Sequence, residues 1–245
     1  MESARVRKVI SVKKILRDLN QHYNQIFKEK TDGLEEDVTK KQVIFNTNLL
    51  YLIAVTDGNE DTLHHSQLVA RYTLVFAKAL GIEDENFLVH MERGALLHDI
   101  GKRGIPEAIL GKPGALTAKE KDIIEEHPLI GYEMLEGFDF LKKASQVVLF
   151  HHERYDGNGY PFGLENGTIP LEARIFALID TLDVITSNRP YREGKSFEKA
   201  YREIQKGRGS QFDPFLVDEL LSIPKEKWEK IKTKTRVDHY IPTIH

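Results

Sequence analysis

Apolar positions recur at helical spacing along almost the whole chain. Over residues 6–28, Val12, Ile15, Leu19 and Ile26 fall close to heptad spacing with charges between them, which predicts an amphipathic helix ending near "KTDGLEED". The heptads are too few to specify a coiled coil. A second helix is expected over 37–56, with Phe45, Leu49, Leu52 and Ile53 on one face, and "TDGNED" breaks it. A third is expected over 62–80, followed by Gly81 in the position that favours a left-handed helix end. The next covers 87–100 and stops at "GKRGIP". Thr117 and Glu120 have the spacing of a capping box at a further helix start. Helices are also predicted over 128–136, 141–152, 171–187, 196–206 and 213–222. No alternating pattern competes with them, so the expected fold class is all-α.

Two segments depart from this pattern. Between His152 and Leu171 the chain reads "ERYDGNGYPFGLENGTIP", too rich in glycine and proline for a helix and too long for a simple connector. Ordered loops of that length are often functional. After Pro224 the tail is basic and polar with one tryptophan, and it is expected to form a terminal helix that packs Trp228 on the domain.

Composition narrows the classes. A chain of 245 residues with 40% hydrophobic positions has room for one large domain, or for one domain plus an accessory segment. A net charge of −3 gives no basis for binding DNA or an anionic membrane. The absence of cysteine excludes disulfides and thiolate metal sites, and it fits a reducing compartment. No run of about 18 apolar residues suggests a membrane span, and the N-terminus lacks the apolar core of a secretory signal. The expected location is cytoplasmic.

The chemistry lies in histidines and aspartates at helix ends and in apolar surroundings. His98-Asp99 closes an apolar run, His127 precedes Pro128, and His151-His152 closes another helix. Asp61 and His65, four apart, share a helix face. Asp180 sits in the apolar "ARIFALIDTLDVI", with Asp183 one turn later on the same face. A carboxylate beside an imidazole in such a setting is costly unless a hydrogen-bond network or a cation compensates it. The joint pattern favours a cation, because so many independent caps would be a coincidence. Nitrogen and oxygen donors without sulfur suit iron, manganese or zinc. Adjacent His98 and Asp99 project differently, so one can ligate a single ion while the carboxylate bridges to a second. His22, His64, His90, His239 and His245 lack such a context and read as surface or packing residues.

These segments together resemble the HD-GYP family, a branch of the HD superfamily of metal-dependent phosphohydrolases. The resemblance rests on "HDIGK" at 98–102, "IPEAILGKPGALT" at 105–117, "HPLIGYEML" at 127–135, "HHERYDGNGYP" at 151–161, "IPLEARIFALIDTLDVITSNRPYR" at 169–192 and "FDP" at 212–214. It implies an HD-domain helical bundle over 59–222; residues 1–58 lie outside it and read as an N-terminal helical connector or dimerisation segment, and 223–245 as a C-terminal tail. It also implies metal ligands at His65, His98, Asp99, His127, His151, His152 and Asp180, with Asp99 bridging two ions. Asp61 stands where some members use a glutamate for a third ion. Iron or manganese is the expected metal. Lys102 matches a lysine that contacts phosphate or a bridging ligand, and it joins Asp99 in the catalytic set. Gly159, Tyr160, Asp183, Arg189 and Arg192 fall where members contact the nucleotide. Leu68 and His64 replace a usual arginine and glycine without touching a proposed ligand.

The expected activity is hydrolysis of cyclic di-GMP to pGpG, with further cleavage to GMP left open, and with a hydroxide bridging the ions as nucleophile. Two alternatives stay open: a non-catalytic module that binds the nucleotide, and a preference for the mixed cyclic GMP-AMP. Expected partners are a second copy of the chain through the N-terminal helices, or a sensory or diguanylate cyclase protein.

Overall fold

Val9, Val12 and Leu16 are buried along one face of helix α1 (Glu2–Lys28), while Val6 and Ile10 remain exposed. The computed structural model describes residues 2–28, 45–46, 48–49, 52–53, 60–188 and 192–237. Most of the helix expected over 37–56 therefore lies outside the described residues. Its described parts are helical, with Phe45, Leu49, Leu52 and Ile53 all buried.

The remaining described helices are α2 (Glu60–Ala79), α3 (Glu85–Leu97), α4 (Glu107–Leu110), α5 (Ala118–Ile124), α6 (His127–Leu135), α7 (Ala144–Phe150), α8 (Leu171–Thr186), α9 (Phe197–Lys206), α10 (Pro214–Ser222) and α11 (Lys225–Val237). Single turns of 3-10 helix lie at Ile100–Gly104, Asp139–Leu141 and Asn166–Thr168. No strand occurs among the described residues, so the all-α expectation holds. The capping box at Thr117 is formed in both directions: the hydroxyl accepts from the Glu120 amide and the Glu120 carboxylate accepts from the Thr117 amide. Gly81 ends α2 at a positive φ of 78°. The turn at Ile100–Gly104 and the short α4 were not expected, since "GKRGIP" reads as a plain stop.

The core is built from α2, α3, α7 and α8: α2 packs on α3 and α8, and α7 packs on α3 and α8. α6 packs on α7 and on the 3-10 turn after α3, and α1 lies across that same turn and α6. This places the ends of α3, α5 and α7 together beside the middle of α2 and α8.

α11 packs on α2. Its Trp228 is fully buried, donates Nε1–H to the Tyr201 hydroxyl at 2.7 Å and meets Tyr72 edge to face, which fulfils the expectation for the tail. Lys232 donates to the Thr186 carbonyl at the C-terminus of α8, where carbonyls lack helical partners and a cation is favourable.

Candidate metal centre

Three of the histidines are delivered by helix ends. His98 directly follows α3, His127 opens α6 two residues beyond Glu125, and His151 directly follows α7. Each donates its Nδ1 hydrogen to the carbonyl three residues back: His98 to Ala95 at 2.8 Å, His127 to Ile124 at 2.7 Å and His151 to Val148 at 2.9 Å. A carbonyl can only accept, so these contacts fix the hydrogen on Nδ1 and leave Nε2 as a bare donor atom.

The bare nitrogens converge. His127 Nε2 and His151 Nε2 stand 3.3 Å apart. Two lone pairs at that separation repel unless one takes a proton or a cation lies between them. Burial, reinforced by neighbouring histidines, holds His151 well below the ordinary imidazole range, and burial likewise lowers His127. Burial and His127 push His152 down to about 4. At neutral pH these rings are uncharged and ready to bind a cation.

Two groups of donors can each hold an ion. His127, His151 and His152 form one, and His65, His98 and Asp180 form the other, with the donor atoms of each group within 4.8 Å of one another. Asp99 lies between them. Its Oδ2 is 3.2 Å from His98 Nε2, while Oδ1 is 3.4 Å from His127 Nε2 and 4.0 Å from His151 Nε2. Lys102 Nζ is 2.6 Å from Oδ2 and partly exposed. Burial opposes ionisation of Asp99, yet Lys102, His98 and His127 hold its carboxyl well below the usual carboxylate range. Asp180 Oδ1 is buried with no hydrogen-bond partner among the described residues, although it lies 3.2 Å from His65 Nε2. Phe176, fully buried, underlies the rings of His98 and His151. Converging nitrogen and oxygen donors over an apolar floor fit a cation better than an internal hydrogen-bond network.

The glycine-rich loop closes one side. Glu153, which the sequence reading did not single out, is buried and accepts the amides of Phe162 at 2.8 Å and Leu164 at 3.0 Å. The signal was available: a carboxylate directly after a buried histidine pair needs donors, and a loop without helical pairing supplies them. The Tyr160 ring stacks on His152 at 4.7 Å between centroids and 24°, and burial raises its phenol above the ordinary value. A Cβ on Gly159 would stand 2.3 Å from the Arg154 amide nitrogen, so the residue is glycine because the loop folds back on itself there.

Other expected site residues fall elsewhere. Asp183 is 0% exposed, with its carboxylate between His65 Nδ1 and the Ser187 hydroxyl. It stands behind His65, away from solvent. Arg192 is exposed and donates to the Val184 carbonyl on α8. Asp61 lies in the first turn of α2, but its side chain is outside the described residues, as is Arg189. Leu68 is buried in the core.

Removing cations leaves opposite pH dependences on the two sides. The lowered histidines bind protons more readily when unfolded, so their stabilisation is complete above about pH 6.5 and is lost as pH falls. Burial opposes protonation of His65, but the facing carboxylates of Asp180 and Asp183 raise it to about 9, so its contribution is complete below about pH 6.5 and is lost as pH rises through 9. The chelated chain should therefore melt at its highest temperature near neutrality and lower on both sides. A melting temperature that stays flat from pH 5 to pH 9.5 in excess chelator contradicts this.

Comparisons with known proteins agree with the architecture. A family model described as HD domain matches residues 52–216. The chain is 46% identical over 147 residues to the cyclic di-GMP phosphodiesterase response regulator RpfG of Xanthomonas campestris pv. campestris, covering 59% of this chain and 39% of that protein. It is 39% identical over 168 residues to a cyclic di-GMP phosphodiesterase of Thermotoga maritima, covering 68% of this chain and 45% of the relative. The chain thus spans less than half the length of these curated relatives. Among solved structures, Bd1817, an HDG"Y"P protein from Bdellovibrio bacteriovorus, superposes with a TM-score of 0.59 at 18% identity, covering 89% of this chain and 68% of that one. No helix among the described residues is long and apolar enough to cross a membrane. The matched span contains every residue of the two donor groups, and the chain belongs to the HD domain family, as its resemblance to the HD-GYP branch implied.

Proposed function

We propose that this chain hydrolyses a phosphodiester bond of a cyclic dinucleotide, with cyclic di-GMP as the first candidate and linear pGpG as the first product. The observation that carries the reading is the pair of nitrogen and oxygen donor groups sharing Asp99, with Lys102 beside it. The relatives named cyclic di-GMP phosphodiesterases support the substrate class. One water is consumed and one bond from phosphorus to a 3′ oxygen breaks.

His65, His98 and Asp180 would hold one ion, and His127, His151 and His152 the other, with Asp99 common to both. Iron and manganese suit this donor set. Bound there, the ions would neutralise phosphate charge and lower the pKa of water towards neutrality. The chain's own residues do the rest. The Nδ1 contacts to backbone carbonyls aim three imidazoles before any ion arrives, so little reorganisation remains. Lys102, charged and partly exposed, is suited to hold the nonbridging oxygens of the phosphate. Phe176 lowers the local dielectric and strengthens every charge interaction above it. Tyr160 keeps the His152 ring in place by stacking.

The test is a turnover assay on the purified chain with cyclic di-GMP and, in parallel, the mixed cyclic GMP-AMP. Activity should appear with added Mn²⁺ or Fe²⁺, vanish in chelator and return on resupply. Bound metal with no hydrolysis of either nucleotide would reject the reading and leave a binding module.

A further inference from the structure

His65 is supported differently from its neighbours. His98, His127 and His151 stand at or just beyond helix ends, where the carbonyl three residues back is available for the Nδ1 hydrogen. His65 lies in the interior of α2, where carbonyls are engaged in the helix. Its ring therefore needs a partner from another element. That partner is Asp183 on α8, whose Oδ2 is 2.6 Å from His65 Nδ1.

We propose that Asp183 is the positioning residue for the His65 half of the centre, fixing the hydrogen on Nδ1 and aiming the Nε2 lone pair at the cluster. The inference rests on the reading of the cluster as a metal centre. At 0% exposure, Asp183 is beyond the reach of a substrate. Both of its oxygens are engaged: Oδ2 by His65, and Oδ1 by the Ser187 hydroxyl at 2.6 Å. The Ser187 amide also donates to the Asp183 carbonyl at 2.8 Å, so the hydroxyl that orients the carboxylate is itself fixed by the helix end.

Asp180 and Asp183 are three residues apart on α8 and address the same imidazole from opposite nitrogens, Asp180 Oδ1 at 3.2 Å from Nε2 and Asp183 at Nδ1. One helical turn thus supplies both a donor for the cluster and the brace for a donor on another helix. A carboxylate behind a ligating imidazole fixes its tautomer and raises its basicity, and losing such a partner typically weakens metal binding by about 10–100-fold.

The experiment compares the whole chain with Asp183→Ala and Asp183→Asn by equilibrium dialysis against Mn²⁺, and by NMR of histidine N–H protons in the Zn²⁺-loaded proteins. In the wild type, two ions should bind, and a hydrogen-bonded Nδ1–H proton should be assignable to His65. In Asp183→Ala one ion should weaken by about 10–100-fold with the other unchanged, and the His65 proton signal should disappear while those of His98, His127 and His151 persist. Asp183→Asn keeps the volume and one acceptor oxygen, so it should fold and weaken the same ion by about 10-fold. Wild-type affinity for both ions in Asp183→Asn overturns the inference even where the alanine variant does not fold. So does equal weakening of both ions, or a wild-type His65 with its hydrogen on Nε2. A wild type that binds no pair of ions overturns the metal reading and this inference together, whereas two bound ions without hydrolysis would overturn only the proposed activity.

Discussion

Asp99→Ala should lose metal and turnover together. The carboxylate lies in contact range of both donor groups, 3.2 Å from His98 Nε2 and 3.4 Å from His127 Nε2. Removing it leaves facing nitrogens with no shared negative charge between them, and it takes away the carboxylate oxygen that now rests 2.6 Å from the Lys102 ammonium. We expect hydrolysis to fall by about 10³-fold or more, beyond the usual loss for one misplaced donor. Metal content after dialysis should drop from two ions per chain to one or none. Circular dichroism should stay near that of the wild type, because the backbone of the 3-10 turn keeps its hydrogen bonds. A well-folded Asp99→Ala protein that retains activity would end the proposed mechanism. Asp99→Asn keeps the shape without the charge and separates the two contributions.

Gly101→Ala should be nearly as damaging for a steric reason. A Cβ at this position would stand 1.9 Å from the His127 carbonyl oxygen and 2.5 Å from the Gly131 amide nitrogen. Both are backbone atoms of α6, and neither can rotate away. The added methyl must push the turn carrying Asp99 and Lys102 away from the helix that begins at His127. Overpacking of this kind costs about 1–3 kcal/mol and occasionally more, and a clash with backbone belongs at the upper end. The displacement also opens the Asp99–His127 contact, so metal affinity should fall alongside stability. Urea unfolding and metal analysis of the same preparation measure both effects. Wild-type values for each would mean that the turn and α6 are not held in register by this contact.

Much of this was legible in the residues because helical periodicity and helix-end chemistry are local. The capping box at Thr117, the left-handed Gly81 and the burial of Trp228 follow from spacing or composition within a few residues. The histidines and aspartates of the two donor groups stood out because each is a polar group in an apolar or helix-end setting. What local pattern could not supply was the pairing of elements across the fold. The spacing of Asp180 and Asp183 shows that they share a face, but not that one meets the front of an imidazole and the other its back. "GKRGIP" shows where α3 stops, yet the tight 3-10 turn there is set by the close approach of α6. Glu153 needed the fold of the glycine-rich loop to show which amides its carboxylate would collect.

The packing of the two ends has a practical corollary for recombinant work. The family match covers 52–216, whereas Val9, Val12, Leu16 and Trp228 are buried in the same core as the matched helices. A fragment trimmed to the matched span would bare an aliphatic seam over the turn that carries Lys102 and an aromatic socket beside Tyr72. Expression boundaries drawn from sequence similarity alone would thus yield a sticky, short-lived product, and its inactivity would say nothing about the chemistry of the intact chain.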